Sequence, residues 1–233
     1  IHGEVGGKCS MVVVTGDRMG NRCEVGGAPI LCDCFDERVE AECEDLKDGS
    51  YRITWHCKTT GIFTVTIKID DVHMQQSPAQ MVLVSTVPSL ANCILHGAGL
   101  TTAVKGETAN FRIRFMDEHG NLTIQTPAFR AAFQPGMTLV ALGMKDMGGA
   151  KEEIDGQWLD EIEGGYAEYQ ISFVPAKTGG YSLFVFDEST GPRVSISKET
   201  PYVLNVTEVA AEDMVALSAE QVATSHQAKE LTG

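Results

Sequence analysis

An all-β chain folded as two antiparallel β-sandwiches in tandem is what this sequence predicts, and three observations predict it. First, Tyr51-Arg52-Ile53-Thr54-Trp55, a loop closing on Thr60-Gly61, and Ile62-Phe63-Thr64-Val65-Thr66-Ile67 alternate apolar and polar residues at period two, which places Tyr51, Ile53 and Trp55 on one face of a strand. Second, the arrangement returns as Tyr169-Gln170-Ile171-Ser172-Phe173, Thr178-Gly179-Gly180 and Tyr181-Ser182-Leu183-Phe184-Val185. A motif that recurs with the same alternation and the same glycine turn is an internal repeat. Third, the first copy sits among about seven short β-rich runs separated by turn residues, the pattern of a sandwich.

The elements follow in order. Cys9-Ser10-Met11-Val12-Val13-Val14-Thr15 is β-rich, with Cys9, Met11 and Val13 on one face. It ends in Asp17-Arg18-Met19-Gly20-Asn21, a turn whose Gly and Asn tolerate positive φ. The second copy has Phe111-Arg112-Ile113-Arg114-Phe115 running into Asp117-Glu118-His119-Gly120-Asn121. Short strands are expected over 30–35 and 39–43, and Asp48-Gly49 turns the chain into the Tyr51 strand. Ser77-Pro78 opens Met81-Val82-Leu83-Val84, and proline at a strand entrance removes no ladder hydrogen bond. The joint is expected at Val87-Pro88-Ser89. This divides the chain into a repeat over 1–86 that lacks its first strand, a repeat over 87–208 with an insertion near 135–165, and a tail over 209–233. The insertion shows no clear period. The tail's Ala, Glu, Gln and Met content favours helix, the alternative being the first strand of a third repeat, since Leu217-Ser218-Ala219-Glu220 imitates Leu95-His96-Gly97-Ala98.

Composition narrows the function classes. A hydrophobic content of 43% over 233 residues supports packed cores, and a formal net charge of -14 without a Lys/Arg cluster argues against nucleic acid or an anionic membrane as main partner. No run of about 18 apolar residues is present, so no membrane span is expected. The start Ile1-His2-Gly3-Glu4 has neither an initiator Met nor a signal-peptide core and reads as part of a longer protein. Seven cysteines, six of them before the joint, read as buried or free thiols of a reducing compartment. The sequons Asn121-Leu122-Thr123 and Asn205-Val206-Thr207 point the other way, towards secretion.

Taken in sequence, Gly97-Ala98-Gly99-Leu100, the two Asp-x-x-Gly-Asn turns, the Tyr51 and Tyr169 strands, Gly61-Ile62-Phe63 and Gly180-Tyr181, and Ser77-Pro78 and Thr200-Pro201-Tyr202 form an ordered double motif. It resembles the filamin-type immunoglobulin-like repeat over nearly the whole chain apart from the insertion and the tail. The first copy departs in lacking Gly-x-Gly-Leu and in placing Ala79 where an aromatic follows Ser-Pro. The resemblance implies a non-enzymatic scaffold segment of a larger protein that binds other proteins, in a cytoplasmic, cytoskeletal or ciliary setting; an extracellular adhesion module is the alternative. It also implies partner binding by β-augmentation beside the third strand and against the fourth. An exposed sheet edge offers unpaired N–H and C=O groups to an added strand. The implied interface is Ile30, Leu31, Cys32, Cys34 and Phe35 with Val39, Ala41 and Cys43 in the first repeat, and Phe129, Ala131 and Phe133 as the third strand of the second.

Other chemistry finds little support. Cys32-Asp33-Cys34 supplies at most half of a zinc site, with no second pair spaced to complete it. Asp17 and Asp117 read as turn residues, because the run lacks the carboxylate density of a calcium loop. The six histidines form no nucleophile–base arrangement, and the glycines form no phosphate loop. No enzyme activity, metal, cofactor or small-molecule substrate is expected.

Overall fold

Alternating runs become strands whose apolar faces meet, and the chain forms two such sandwiches. In the computed structural model, residues 1–133, 137–143, 150–152, 155–159, 163–187 and 192–208 are described. One unit comprises Ile1–Pro88 with Asp117–Ile124, the other Ser89–Met116 with Gln125–Gly233. The tail over 209–233 lies outside the described residues.

The first unit runs β1 (His2–Glu4), β2 (Cys9–Val14), β3 (Ile30–Cys34), β4 (Glu40–Asp45), β5 (Ser50–His56), β6 (Gly61–Ile69), β7 (Val72–His73) and β8 (Ala79–Val84). One sheet has the order β1-β8-β6-β3, with β7 beside β6, and the other β2-β5-β4. β1 runs parallel to β8; the remaining pairs are antiparallel. Ile53 and Trp55 of β5, Phe63, Val65 and Ile67 of β6, and Met81 and Leu83 of β8 are buried in one core with Cys9 and Val13 of β2. Burying each large side chain contributes about 1.5–3 kcal/mol. Tyr51 is buried too, and its hydroxyl accepts the Ala28 N–H at 2.6 Å, tying the loop that leads into β3.

The second unit runs β9 (Ile94–His96), β10 (Thr102–Val104), β11 (Ala109–Arg114), α1 (Pro127–Phe133), β12 (Met137–Gly143), β13 (Ala150–Glu152), β14 (Asp155–Trp158), β15 (Glu168–Phe173), β16 (Gly179–Asp187), β17 (Val194–Ser195) and β18 (Tyr202–Thr207). Its sheets are β10-β18-β16-β12-β13, with β17 beside β16, and β14-β15-β11-β9. Phe111, Ile113, Tyr169, Ile171, Phe173, Leu183, Val185, Leu204 and Val206 are buried together. Phe111 meets Phe173 edge to face with centroids 6.3 Å apart, worth about 0.5–1.5 kcal/mol beyond area burial. The opening strand is split: β9 pairs antiparallel with β11, and β10 pairs parallel with β18. In the first unit β1 stands to β8 as β10 stands to β18.

One expected element is corrected. Residues 129–133 are not a strand but most of α1. Pro127 fixes φ and lacks an N–H, which suits the first turn of a helix, and Ala128, Ala131 and Ala132 follow. The Arg130 N–H donates to the Thr126 carbonyl at 3.0 Å, closing the turn. The third strand is instead β12, and β12, β13 and β14 all lie within the 135–165 stretch read as an insertion.

The two Asp-x-x-Gly-Asn turns are built alike. Asp17 Oδ1 accepts the Met19 and Asn21 N–H groups at 2.8 and 2.9 Å, and Oδ2 accepts Asn21 Nδ2 at 2.9 Å. Asp117 takes the same three donors from His119 and Asn121 at 2.8–2.9 Å. Gly20 and Gly120 hold φ of +86° and +84° at the same position, where a side chain is disfavoured.

Candidate partner-binding edges

Among the described residues β3 pairs only with β6, and β4 only with β5, so each ends its sheet. The loop over 35–39 joins them, and the two strands lie side by side at one open mouth of the sandwich. Which backbone groups face outward follows from register. Ile67 stands opposite Cys32, yet its carbonyl accepts the Met74 N–H and its own N–H donates to Ser77 Oγ, both on the side away from β3. Cys32 therefore sits in a non-hydrogen-bonded pair, and its N–H and C=O point into the open edge, as do the groups of Cys34 two residues on, whereas the Ile30 N–H donates to the Ala28 carbonyl at 3.0 Å. Leu31 and Asp33 carry the ladder to β6. On β4 the Leu46 N–H donates to the Ser50 carbonyl at 3.0 Å. Counting back through the register leaves Ala41, Cys43 and Asp45 with outward backbone groups.

The side chains at the mouth are small or apolar. Ile30, Cys32, Cys34 and Ala41 are half-buried against the core, Val39 is buried just before β4, and Cys43 is exposed at the rim. Leu31 lies on the outer face, and Phe35, just past the strand, is 82% exposed. Both ends of the mouth are pinned by aspartates. The Arg38 guanidinium and N–H hold the Asp36 carboxyl down to about 2, with Nη2 at 2.6 Å from Oδ2. The Asp45 carboxyl is held below its ordinary range by the Lys47 N–H and ammonium and by the Gly27 N–H.

The sequence-predicted residues of the first repeat thus converge, whereas those of the second do not. Phe129, Ala131 and Phe133 belong to α1 and to no sheet edge. The strand in the place of β3 is β12, and β13 covers its outer edge through Leu139↔Glu152, Val140↔Lys151 and Ala141↔Ala150. Sequence reasoning placed Cys32 and Cys43 on separate strands, and they stand on β3 and β4. The period-two alternation that puts both on inward faces was the available signal.

The two sequons differ in access. Asn121 Nδ2 donates to Asp117 Oδ2 and to the Lys58 carbonyl, each at 2.8 Å, its Oδ1 accepts the Thr60 N–H, and Thr123 is buried. Both amide hydrogens of Asn121 are committed, while Asn205 is exposed on β18. Among the described residues no three His, Cys, Asp or Glu side chains converge as a metal site, and no helix is long and apolar enough to cross a membrane.

Comparison with known proteins bears on this architecture. Residues 2–80 match the family model described as the filamin/ABP280 repeat. A search of curated proteins finds no match. Among solved structures, the Escherichia coli adhesin FdeC aligns with a TM-score of 0.55 at 18% identity, over 88% of this chain and 61% of that one. Invasin, a bacterial integrin-binding protein, aligns at 0.50 and 12% identity over 85% and 40% of the two chains. InvD of Yersinia pseudotuberculosis gives 0.50 and 10% over 88% and 55%. This chain therefore spans between 40 and 61% of the length of these three structures, and at such identities the likeness is one of fold.

Proposed function

We infer from the filamin-type repeat matched over residues 2–80, and from the second β-sandwich that follows it, that the chain is a non-enzymatic scaffold segment which captures an extended segment of another protein along β3. The working repeats are those over 1–86 and 87–208. The observation that carries the reading is the open mouth of the first repeat, where Cys32 and Cys34 turn their backbone groups outward. An added strand gains main-chain hydrogen bonds there, and its alternate side chains meet Ala41 and Cys43 of β4. The fit is to a peptide with small or apolar residues at every second position. The net charge of -14 disfavours nucleic acid and anionic membranes as competitors. A cytoskeletal or ciliary assembly is the setting this reading favours.

The test is selection of a random-peptide library on the intact reduced chain, with amide NMR shifts mapping where selected peptides dock. Peptides with period-two apolar patterns that perturb 30–34 are the expected result. Peptides that map away from β3 and β4 would overturn the reading.

A second reading, an extracellular adhesion module, is favoured by the exposed Asn205 sequon. The adhesin FdeC and the integrin-binding invasin have related folds. Passage of the chain through a secretory pathway, followed by glycosidase treatment and intact mass measurement, checks it. A glycan at Asn205 with Asn121 bare is the outcome expected of a secreted, folded chain. Absence of glycan from protein purified out of its native source removes this reading.

A further inference from the structure

Asp117–Ile124 fold into the first unit, and Asn121 fastens them there. Its Nδ2 donates to the Lys58 carbonyl at 2.8 Å and its Oδ1 accepts the Thr60 N–H at 3.1 Å, both in the turn between β5 and β6. His119 lies over Gly6, where a Cβ would stand 3.4 Å from Nε2. The internal repeat supplies the same parts a second time, with each half left open. On the first unit the Asp-x-x-Gly-Asn turn over 17–21 is exposed throughout, and Met19 is 85% exposed. Asn21 gives one amide hydrogen to Asp17 Oδ2 at 2.9 Å, and the rest of its side-chain amide is open. On the second unit the turn between β15 and β16 answers to the one between β5 and β6: the Gly106 N–H donates to the Pro175 carbonyl at 2.9 Å as the Gly6 N–H donates to the Cys57 carbonyl at 3.1 Å. Counting on from that bond puts Ala176 in the place of Lys58 and Thr178 in the place of Thr60, just before the glycines that open β16 and β6. Ala176 and Thr178 are exposed, and a Cβ on Gly106 would meet nothing within 4 Å. The Tyr181 hydroxyl donates to the Lys177 carbonyl at 2.9 Å and braces this turn.

We propose that the 17–21 turn of one copy of this chain docks on the β15–β16 turn of a second copy. Asn21 Nδ2 donates to the Ala176 carbonyl, the Thr178 N–H donates to Asn21 Oδ1, and Met19 covers Gly106. The occupant follows from the contact the first unit already makes: Asn121 and His119 show what such a turn binds, and the complement that each open half lacks is present on this same chain. The two surfaces differ, so the contact is heterologous and runs head to tail, leaving one free half at each end of an assembly. A scaffold segment is extended end to end in this way without use of the β3 edge, so the proposal stands apart from peptide capture. Two hydrogen bonds and one thioether make a small contact, with affinity on the order of millimolar. Copies that each carry a net charge of -14 repel one another, so screening by salt strengthens the contact.

The experiment follows amide NMR shifts of the intact reduced chain from about 0.05 to about 2 mM, at low and at physiological salt. Expected are shifts at 18–21 and at 106 and 176–178 that rise together with concentration and are larger at the higher salt. In Asn21→Ala both sets of shifts should fall at least about fivefold. Unlabelled wild-type chain added to labelled Asn21→Ala chain should then move 106 and 176–178 but not 18–21, a result that holds even if the substitution unsettles its own turn. No concentration-dependent shift up to about 2 mM, shifts that map to other residues such as β3, or an Asn21→Ala chain that associates like the wild type would each overturn the proposal.

Discussion

In the first repeat β3 ends its sheet, whereas in the second the equivalent strand β12 carries β13 on its outer side. A second contrast lies on the opposite sheet. The strand that begins with Ser50-Tyr51 in the first repeat begins with Glu168-Tyr169 in the second. Ser50 pairs with Val14, which is exposed, as is Val12. Glu168 pairs with Arg114 and is 1% exposed. Arg114 holds Glu168 Oε1 at 2.6 Å through Nε and 2.5 Å through Nη2, with His96 at 3.5 Å and Arg112 at 3.8 Å. One framework thus carries two surfaces: a repeat with an available edge and neutral outer valines, and a repeat whose corresponding edge is covered and whose outer face is clamped by charge. A shared fold fixes the core and the turns, and the two copies differ at their edge strands.

Substitutions separate these roles. Leu31→Pro removes an amide that bonds β6 and is expected to cost the first repeat about 3 kcal/mol or more in denaturant unfolding. Cys32→Pro removes an outward amide and is expected to cost about 1 kcal/mol or less, while weakening library-selected peptides at least about tenfold. Equal destabilisation by the two prolines would show that the assigned parity of β3 is wrong. In the second repeat Arg114→Met leaves the buried Glu168 with only its distant partners and is expected to cost about 3 kcal/mol. Glu168→Gln should cost less, because the half-exposed arginines left behind can be hydrated. The reverse order would contradict the buried-carboxylate argument.

Detaching β13 with Ala150→Pro and Lys151→Pro together is expected to cost about 1 kcal/mol and to speed amide exchange of those residues among 139–141 that lose a partner, turning β12 into an edge like β3. Unchanged exchange would mean that β13 does not protect it. The smallest effect concerns the turns. Burial pushes the Asp117 carboxyl up, but hydrogen bonds from Asn121, Ser85 and His119 outweigh it and leave the pKa below its ordinary value. A depressed folded-state pKa gives stability that is present above the unfolded value of about 3.9 and is lost as pH falls through the folded one. Asp117→Asn should therefore be destabilising by about 1 kcal/mol or less at pH 7, and the deficit should shrink on titration below pH of about 4. A deficit constant with pH would assign the effect to packing rather than charge.

Much of this was legible in the sequence because it rests on local signals. Tyr51-Arg52-Ile53-Thr54-Trp55 and its echo announced buried strand faces, and Asp17 and Asp117 announced turns, since period-two alternation and Asx chemistry act within a few residues. The third strand of the second repeat was misplaced because Phe129-Arg130-Ala131-Ala132-Phe133 is too short for periodicity to separate strand from helix. The helix signal was Pro127 at its start. β13 has no sequence signature of its own: Ala150-Lys151-Glu152 is a strand only because β12 lies beside it. Nor does a lone glutamate announce that Arg114 will pair with it. Such pairings are tertiary, and register rather than composition determines them.

The measurement that tests the comparison most directly needs no partner: residue-resolved amide hydrogen exchange of the intact reduced chain along β3 and β12. The prediction is alternation in β3, with Leu31 and Asp33 protected and Cys32 and Cys34 exchanging rapidly, against continuous protection over 139–141 in β12. Protection of Cys32 equal to that of Leu31, or alternation in β12 like that in β3, would contradict the claim that the first repeat alone presents an open third strand.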